Sequence, residues 1–139
     1  MRVILDSNVL LSALISPHGA PHAIYVAWLE GRFELITCAE QIAEIQRASR
    51  YPGLRKFLHG YQVGALINRL NELKHVEPAL GQALELSDPH DLFLVALADA
   101  SQADWLVSGD RRSGLLDLGH RGRTRIAMPY DFCSQALHL

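Results

Sequence analysis

The sequence predicts a three-layer α/β/α domain, in which helices cover both faces of a central parallel sheet of four to five strands. Short apolar runs alternate along the chain with segments of helical periodicity, and this alternation is typical of parallel α/β proteins. The chain has 139 residues, of which 49% are hydrophobic, and this is enough for a substantial buried core. It contains no repeat, linker or low-complexity tract, so we expect residues 1–139 to form one domain.

The individual elements follow from apolar runs and from the residues that begin and end helices. The run RVIL is suited to a strand buried on both faces. Pro21 suits the start of a helix, and Gly31 suits its end. The predicted strands are residues 2–5, 33–37, 105–108 and 125–128. The predicted helices are residues 9–15, 21–30, 39–49, 61–73 and 89–100 and a terminal helix from Pro129, with short helical pieces at 54–58 and 113–119. Residues 75–86 are ambiguous, with a short strand as one interpretation of HVEP.

Composition limits the location and the partners of the protein. The formal net charge is −2, so no global attraction to nucleic acid is expected and a basic surface has to be local. Two cysteines without a CxxC motif favour a reducing compartment. The sequence shows no secretory signal, and no apolar run reaches the roughly 18 residues that a membrane span needs. We therefore expect a cytoplasmic protein that does not enter the membrane.

Four carboxylates occupy positions that would bring them to one edge of the sheet. Asp6 ends the run RVILD, Asp110 ends WLVSGD, and Glu44 and Asp91 fall on two helices between them. Groups at the carboxyl ends of parallel strands gather in one crevice. Because carboxylates repel one another, gathering them is costly without a cation. The pattern predicts an oxygen-ligand site for Mg²⁺ or Mn²⁺.

The acids at helix starts also have a purely structural interpretation. Asp6 could cap the first helix, although Ser7 or Asn8 could do the same and leave Asp6 to bind metal. Asp91 could complete a capping box with Asp88. The sequence leaves these alternatives open.

The other two acids also have ordinary explanations. A glutamate on a helix is usually solvated, although Ile42 and Ile45 place Glu44 at the boundary of the apolar face. Asp110 follows Gly109, and this pair is common in turns. It is the order of the four acids along the chain, rather than any one of them, that favours a shared site.

Four segments together resemble the PIN-domain nucleases. The family's opening, an apolar strand followed by Asp-Thr/Ser-Asn and an apolar helix, is similar to RVILDSNVLLSAL. Its helix with the third acid is similar to SDPHDLFLVALA, and its strand leading to Thr/Ser-x-Asp is similar to ADWLVSGD. Its closing strand, proline and helix are similar to RIAMPYDF, so the resemblance covers nearly the whole chain.

The resemblance implies a function and a set of site residues. It extends to compact bacterial and archaeal toxins of toxin–antitoxin pairs, of the VapC type. It implies endonucleolytic cleavage of RNA with one or two Mg²⁺ or Mn²⁺ ions, and a cognate antitoxin protein as partner. The catalytic and metal-binding positions that it implies are Asp6, Glu44, Asp91 and Asp110. The positions that would contact phosphate or metal-bound water are Ser7, Asn8 and Ser108.

Basic residues that could hold RNA occur in two groups. The first lies after the last acid and is expected beside the acidic crevice; it consists of Arg111, Arg112, Arg121, Arg123 and Arg125. The second consists of Arg47, Arg50, Arg55 and Lys56, which would more often be solvated surface residues. Such arginines could equally meet an acidic antitoxin tail. The helix at 61–73 and the terminal helix could form a homodimer face or belong to the core.

Other functions are less well supported by the sequence. A G-x-G-x-x-G motif after the first strand, a nucleophile elbow and zinc-ligand spacing are all missing from it. The main alternative is a catalytically weak PIN fold that acts as an RNA- or protein-binding module. Its motivation is that His90 and Leu92 stand beside Asp91, and RRSG follows Asp110, where the family often places further acids.

Overall fold

A five-stranded sheet forms the centre of the computed structural model, which describes residues 1–78, 89–110 and 114–139, with side chains of the second range described from residue 92 onward. The strands are β1 (Arg2–Leu5), β2 (Glu34–Leu35), β3 (Trp105–Val107), β4 (His120–Arg121) and β5 (Thr124–Ala127). The helices in the described ranges are α1 (Ser7–Ile15), α2 (Ala20–Leu29), α3 (Ala39–Ala48), α4 (Pro52–Arg55), α5 (Gly60–Glu72), α6 (Pro89–Ser101) and α7 (Pro129–Phe132). A 3-10 turn covers Leu116–Leu118, and a π-helical turn covers Cys133–Leu137.

The order of the strands across the sheet is β2-β1-β3-β5-β4. Neighbouring strands are parallel from β2 through β1 and β3 to β5. The edge strand β4 pairs with β5 in the antiparallel sense. The register aligns Leu5 with Val107 and Val107 with Ala127. The carboxyl ends of β1, β3 and β5 therefore meet at one edge of the sheet, and their amino ends meet at the opposite edge.

Apolar side chains cover both faces of the sheet, which confirms the predicted three-layer α/β/α fold. Val3 and Leu5 belong to one core with residues of α1, α2, α3 and α5, whereas Ile4 belongs to a second core with residues of α6. Because side chains alternate across a strand, a strand buried on both faces has to be apolar throughout. In the described ranges, no helix is both long and apolar enough to cross a bilayer.

Two details differ from the prediction. The second strand is shorter than 33–37: only Glu34–Leu35 pairs in the ladder, and Thr37 instead forms an isolated parallel bridge with His75 before the chain enters α3. This bridge is the counterpart of the short strand suggested for HVEP, while residues 79–88 lie outside the described ranges. The strand β4 was missed because its two polar residues carry no hydrophobic pattern.

The helix α5 contributes its inner stripe to the core of this chain. Leu66 and Leu70 are completely buried there, and the preceding turn of the helix presents the exposed side chain of Tyr61. The spacing that predicted this helix therefore reflects packing against the sheet.

The C-terminal segment is anchored by one aromatic side chain. Phe132, at the end of α7, is fully buried. Its ring makes edge-to-face contacts with Phe33 and Trp105, with centroids 5.8 and 5.5 Å apart. Aromatic pairs in this geometry add to the stabilisation from burial itself. Phe132 thereby connects the end of the chain to the strand at the centre of the sheet.

We predict that Phe132→Ala lowers the free energy of unfolding by about 3–5 kcal/mol, because it removes a buried ring and leaves a cavity. Tyr130→Ala is the matched control: Tyr130 is in the same turn but 75% exposed, so its loss should cost within about 0.5 kcal/mol. Urea denaturation followed by circular dichroism measures both. Equal losses in the two variants would contradict the role given to Phe132.

Candidate active site

The ends of β1 and β3 place two polar side chains in direct contact. The backbone N–H of Asp6 donates to the carbonyl oxygen of Val107 at 2.9 Å, which continues the ladder one residue beyond β1. The hydroxyl of Ser108 then donates to Asp6 Oδ2 at 2.9 Å, and Ser108 is completely buried. Residues about a hundred positions apart in the sequence are thus held together by the parallel register.

The Asp6 carboxylate contacts the first turn of α1 with one oxygen and Ser108 with the other. Only 5% of Asp6 is exposed. Its Oδ1 accepts from the backbone N–H of Asn8 at 3.4 Å, beyond the usual range for a hydrogen bond, while Oδ2 accepts from Ser108. Asp6 thus occupies the cap position of α1, and the metal-binding interpretation of Asp6 stays a prediction.

Ser7 and Asn8, the polar residues that follow, differ in their surroundings. Ser7 is buried, and its Oγ has no hydrogen-bond partner among the described atoms. Asn8 is exposed and lines a cleft of about 450 Å³ that also contains Ser12 and Asp110. The cleft gives ligands access to the edge of the sheet on which Asp6 lies.

Asp110 joins the pair through the same serine. Its backbone N–H donates to Ser108 Oγ at 3.2 Å, and the residue is partly buried. Burial is the main reason why the pKa of Asp6 is raised, and the negative charge of Asp110 raises it further. The hydrogen bonds from Ser108, Asn8 and Ser7 act in the opposite direction. The two carboxylates therefore repel one another at a site where a cation would relieve that repulsion.

A buried hydrogen-bonded chain fixes α3 against the same edge. Gln41 is completely buried, and its Nε2 donates to the carbonyl oxygen of Leu5 at 2.5 Å. Its Oε1 accepts from the hydroxyl of Thr37 at 2.6 Å. Glu44 lies three residues further along α3 and is partly buried. Gln41 thus sets the position of the helix that carries the second of the four predicted acids.

Sequence reasoning did not identify Gln41. One signal for it exists: Gln41 lies four residues before Ile45, on the stripe that faces the core, where a glutamine is unusual. A polar residue on such a stripe has to find buried partners, and here they are Leu5 and Thr37.

The third predicted acid can be placed only by its backbone. Arg2 Nη1 donates to the carbonyl oxygen of Ser101 at 2.8 Å, so the last turn of α6 lies at the amino edge of the sheet. The first turn, which contains Asp91, therefore lies toward the opposite edge. The side chain of Asp91 and the whole of Arg111 and Arg112 lie outside the described part of the structure.

The described donor atoms fit a hard divalent cation but do not complete a site. The carboxylates of Asp6 and Asp110 and the hydroxyl of Ser108 are oxygen donors, which Mg²⁺ and Mn²⁺ prefer. Within residues 1–78, 92–110 and 114–139, no group of three His, Cys, Asp or Glu side chains is close enough to hold a metal ion. Any third carboxylate has to come from another part of the chain.

The expectation that the arginines of HRGRTR flank the acids is wrong. Arg123 Nη2 lies 2.7 Å from Asp104 Oδ1, and Arg121 Nη2 lies 3.1 Å from Asp99 Oδ2. Arg125 is aligned with the first residue of β3. Arg121 belongs to β4, Arg123 lies in the turn before β5, and Arg125 is in the amino half of β5, which runs parallel to β3. These arginines therefore lie toward the edge opposite Asp6, where two of them pair with carboxylates.

Comparison with known proteins gives one match. The family profile of the PIN domain matches residues 2–112, which include all four predicted acids. The comparison found no match among curated proteins or solved structures.

We predict that Gln41→Met destabilises the protein by about 1–3 kcal/mol, because the carbonyl of Leu5 and the hydroxyl of Thr37 each lose a buried partner. Gln46→Met, an exposed position on the same helix, is the control and should change stability by less than about 0.5 kcal/mol. Urea denaturation measures the difference. A neutral effect of Gln41→Met would show that the buried chain does not hold α3.

We predict that Asp6→Asn raises the melting temperature at pH 7 in EDTA by a few degrees, since about 1 kcal/mol shifts it by about 2–8 °C in a domain of this size. The raised pKa of Asp6 means that the folded state prefers the protonated carboxyl. The protonated Asp6 carboxyl contributes fully to stability below pH 3.8, its ordinary pKa. This contribution is lost as the pH rises through the folded-state pKa of Asp6.

The difference in melting temperature between Asp6→Asn and the parent protein should therefore become smaller as the pH is lowered toward 3.8. Asp117→Asn, at an exposed position, should match the parent protein at every pH. Scanning calorimetry between pH 4 and 7 measures this dependence. A parent protein more stable than Asp6→Asn at pH 7 in EDTA would contradict it.

Proposed function

This chain belongs to the PIN domain family, and from that premise we propose that it is a metal-dependent endoribonuclease that hydrolyses RNA phosphodiester bonds. PIN domains are generally nucleases, and they usually use divalent metals. The observation that supports the proposal most is the pair Asp6 and Asp110. Ser108 donates to the carboxylate of Asp6 and accepts from the backbone N–H of Asp110, and Asp110 lines an open cleft.

The residues that would hold the cation are the acids at this edge. Asp6 is its central ligand in this proposal, and Asp91 and Asp110 contribute directly or through waters. Glu44 holds a metal-bound water or a second Mg²⁺ or Mn²⁺ ion. A bound ion of this kind lowers the pKa of a water and polarises the phosphoryl group. Ser108 orients Asp6 by donating to Oδ2, which leaves Oδ1 with only the long contact from Asn8.

Other residues at the same edge would bind the substrate. Asn8 is exposed in the cleft beside Asp110, where its amide can donate to a phosphate oxygen. Ser7 is assigned to phosphate or metal-bound water because its buried hydroxyl has no partner among the described atoms. Arg111 and Arg112 directly follow Asp110 in the sequence and are proposed to contact phosphates.

The biological role that we propose is that of the toxin in a toxin–antitoxin pair, acting in the cytoplasm and inhibited by a cognate antitoxin. The order of the four acids along the chain supports this role. Cys38 and Cys133 are buried free thiols, in keeping with a reducing compartment. Burial raises the pKa of Cys38 to about 11, so this thiol is neutral at physiological pH and is not a nucleophile.

A second candidate function is that of a catalytically weak PIN fold that binds RNA or protein. The observation that favours it is the lack of a three-ligand group among the described side chains. The two candidates differ in one measurable property, because only the enzyme needs Asp6 for turnover.

We predict that Mg²⁺ or Mn²⁺ supports cleavage of a mixed RNA substrate and that EDTA abolishes it. Asp6→Asn should reduce the rate by more than the roughly 10–100-fold that loss of an outer-shell partner costs. Glu34→Gln is the matched control, because it removes one carboxylate at the amino edge, where Glu34 meets Arg2 in an exposed ion pair. Denaturing gel electrophoresis of end-labelled RNA measures the rates.

Contaminating ribonucleases are excluded by preparing the three proteins in parallel. Cleavage of equal rate in the parent protein and Asp6→Asn would remove the support for this mechanism. Absence of cleavage in all three, together with RNA binding, would favour the binding module.

A further inference from the structure

One stretch of this chain carries positive charge and no negative charge. Between Glu44 and Glu72 the sequence contains five Lys and Arg residues and no Asp or Glu. The remaining eight basic residues are distributed among all 15 acidic ones. A protein of net charge −2 thus carries a local surface that can attract a polyanion. This stretch comprises the second half of α3, α4 and most of α5.

Four of these cations are exposed and have no carboxylate within salt-bridge distance among the described residues. They are Arg47, Arg50, Arg55 and Lys56. By contrast, Arg121 and Arg123 at the amino edge of the sheet are both paired with carboxylates. Charges without a protein partner are the ones that can neutralise phosphates.

A groove of about 490 Å³ lies between α3, α4 and α5, and we refer to it as the α3–α5 groove. One side presents the polar side chains of Ser49, Arg50 and Arg55. The other side includes the apolar side chains of Val63 and Ile67. This combination matches one nucleotide, because a phosphate needs charged donors whereas the face of a base needs an apolar surface.

Exposed aromatic side chains occur in the same stretch of the chain as the residues that line the groove. Tyr51, Phe57 and Tyr61 are exposed to 58%, 54% and 75%. The ring of His59 stacks on that of Tyr61, with centroids 5.6 Å apart. Aromatic rings among cations are typical of surfaces that stack unpaired bases, which a duplex keeps inside its helix.

The groove is connected to the acidic edge by α3. Gln41 is fixed beside Leu5, Glu44 follows one turn later, and Arg47 follows after another turn. At 1.5 Å per residue, Gln41 and Arg47 are about 9 Å apart along the helix axis. A single-stranded nucleic acid that passes over the acids can therefore continue along α3 into the groove.

We propose that the α3–α5 groove is a nucleotide-binding site outside the acidic site, and that it binds one nucleotide of a single-stranded RNA. Arg50 and Arg55 contact the phosphate, and Val63 and Ile67 contact the base. The choice of RNA as ligand rests on the proposed function, but binding in the groove does not require cleavage.

Binding is measured by fluorescence anisotropy of a labelled 12-nucleotide single-stranded RNA in EDTA, where metal-dependent cleavage is suppressed. Arg50→Ala/Arg55→Ala should bind at least about tenfold more weakly. It should also reduce the slope of log affinity against log salt by about 0.7, because the one phosphate that the two arginines neutralise loses its contacts. Arg123→Ala/Arg125→Ala removes the same charge at the amino edge and should bind within about twofold of the parent protein.

A second pair of variants tests the groove without changing charge. Gly64 lies on α5, and a Cβ added there meets nothing within 4 Å. Gly64→Leu fills the groove and should weaken binding by about tenfold, whereas Gly64→Ala is the control and should change it by less than about twofold. Both substitutions increase helix propensity, so neither should impair folding.

The outcomes separate this proposal from the proposed function. Equal weakening of RNA binding by the two double-arginine variants, or unchanged RNA affinity in Gly64→Leu, would show that the α3–α5 groove is not the nucleotide-binding site. If a duplex of the same sequence binds more tightly, single-stranded RNA is not the ligand. If a poly-glutamate peptide binds more tightly in the same assay, RNA is likewise excluded and an acidic protein partner is favoured. RNA binding that depends on the α3–α5 groove, without metal-dependent cleavage, would support the nucleotide-binding site. It would contradict only the proposed nuclease activity.

Discussion

The burial of the Asp6 carboxylate beside Asp110 is the constraint on which the functional edge of this protein depends. Both carboxylates lie at the carboxyl end of a parallel sheet, and Ser108 is hydrogen-bonded to each of the two residues. Burial of Asp6 makes its negative charge costly, and Asp110 increases that cost. The apolar strands, the register and the surrounding helices are what hold these groups together despite it. A cation would turn the same arrangement from unfavourable to favourable.

The surroundings of this pair are built from buried hydrogen bonds. Gln41 bridges Thr37 and the carbonyl of Leu5, so α3 and the ends of β1 and β2 form one connected unit. A buried polar group that lost its partner would cost more than the bond contributes, which makes such a unit resistant to small displacements. Asp6 lies between β1 and α1, and Glu44 lies on α3. The four exposed cations lie in the last turn of α3, on α4 and just after each of these two helices.

The sequence predicted those parts of the fold that depend on repeated patterns. The apolar run ending at Asp6 and the helical spacing of α5 correspond to elements within one or two residues. Contact between Asp6 and Ser108 follows from the rule that parallel strands end at one edge. Gln41 was missed because a single glutamine looks solvated unless its helical face is considered. Arg123 was misplaced because its closeness to Asp110 along the chain was taken as closeness in space, although a parallel β5 places the residues before it at the amino edge.

The contact between Asp6 and Ser108 joins residues separated by 102 positions, and this separation has a consequence for when the site comes into existence. Closing so long a loop costs entropy before any contact is gained, so the pairing of β1 with β3 is a late event in folding. A chain that has been synthesised only through α5 contains Asp6 and Glu44 but no partner strand to complete the acidic edge. The acidic edge is therefore not assembled until β3 has docked beside β1.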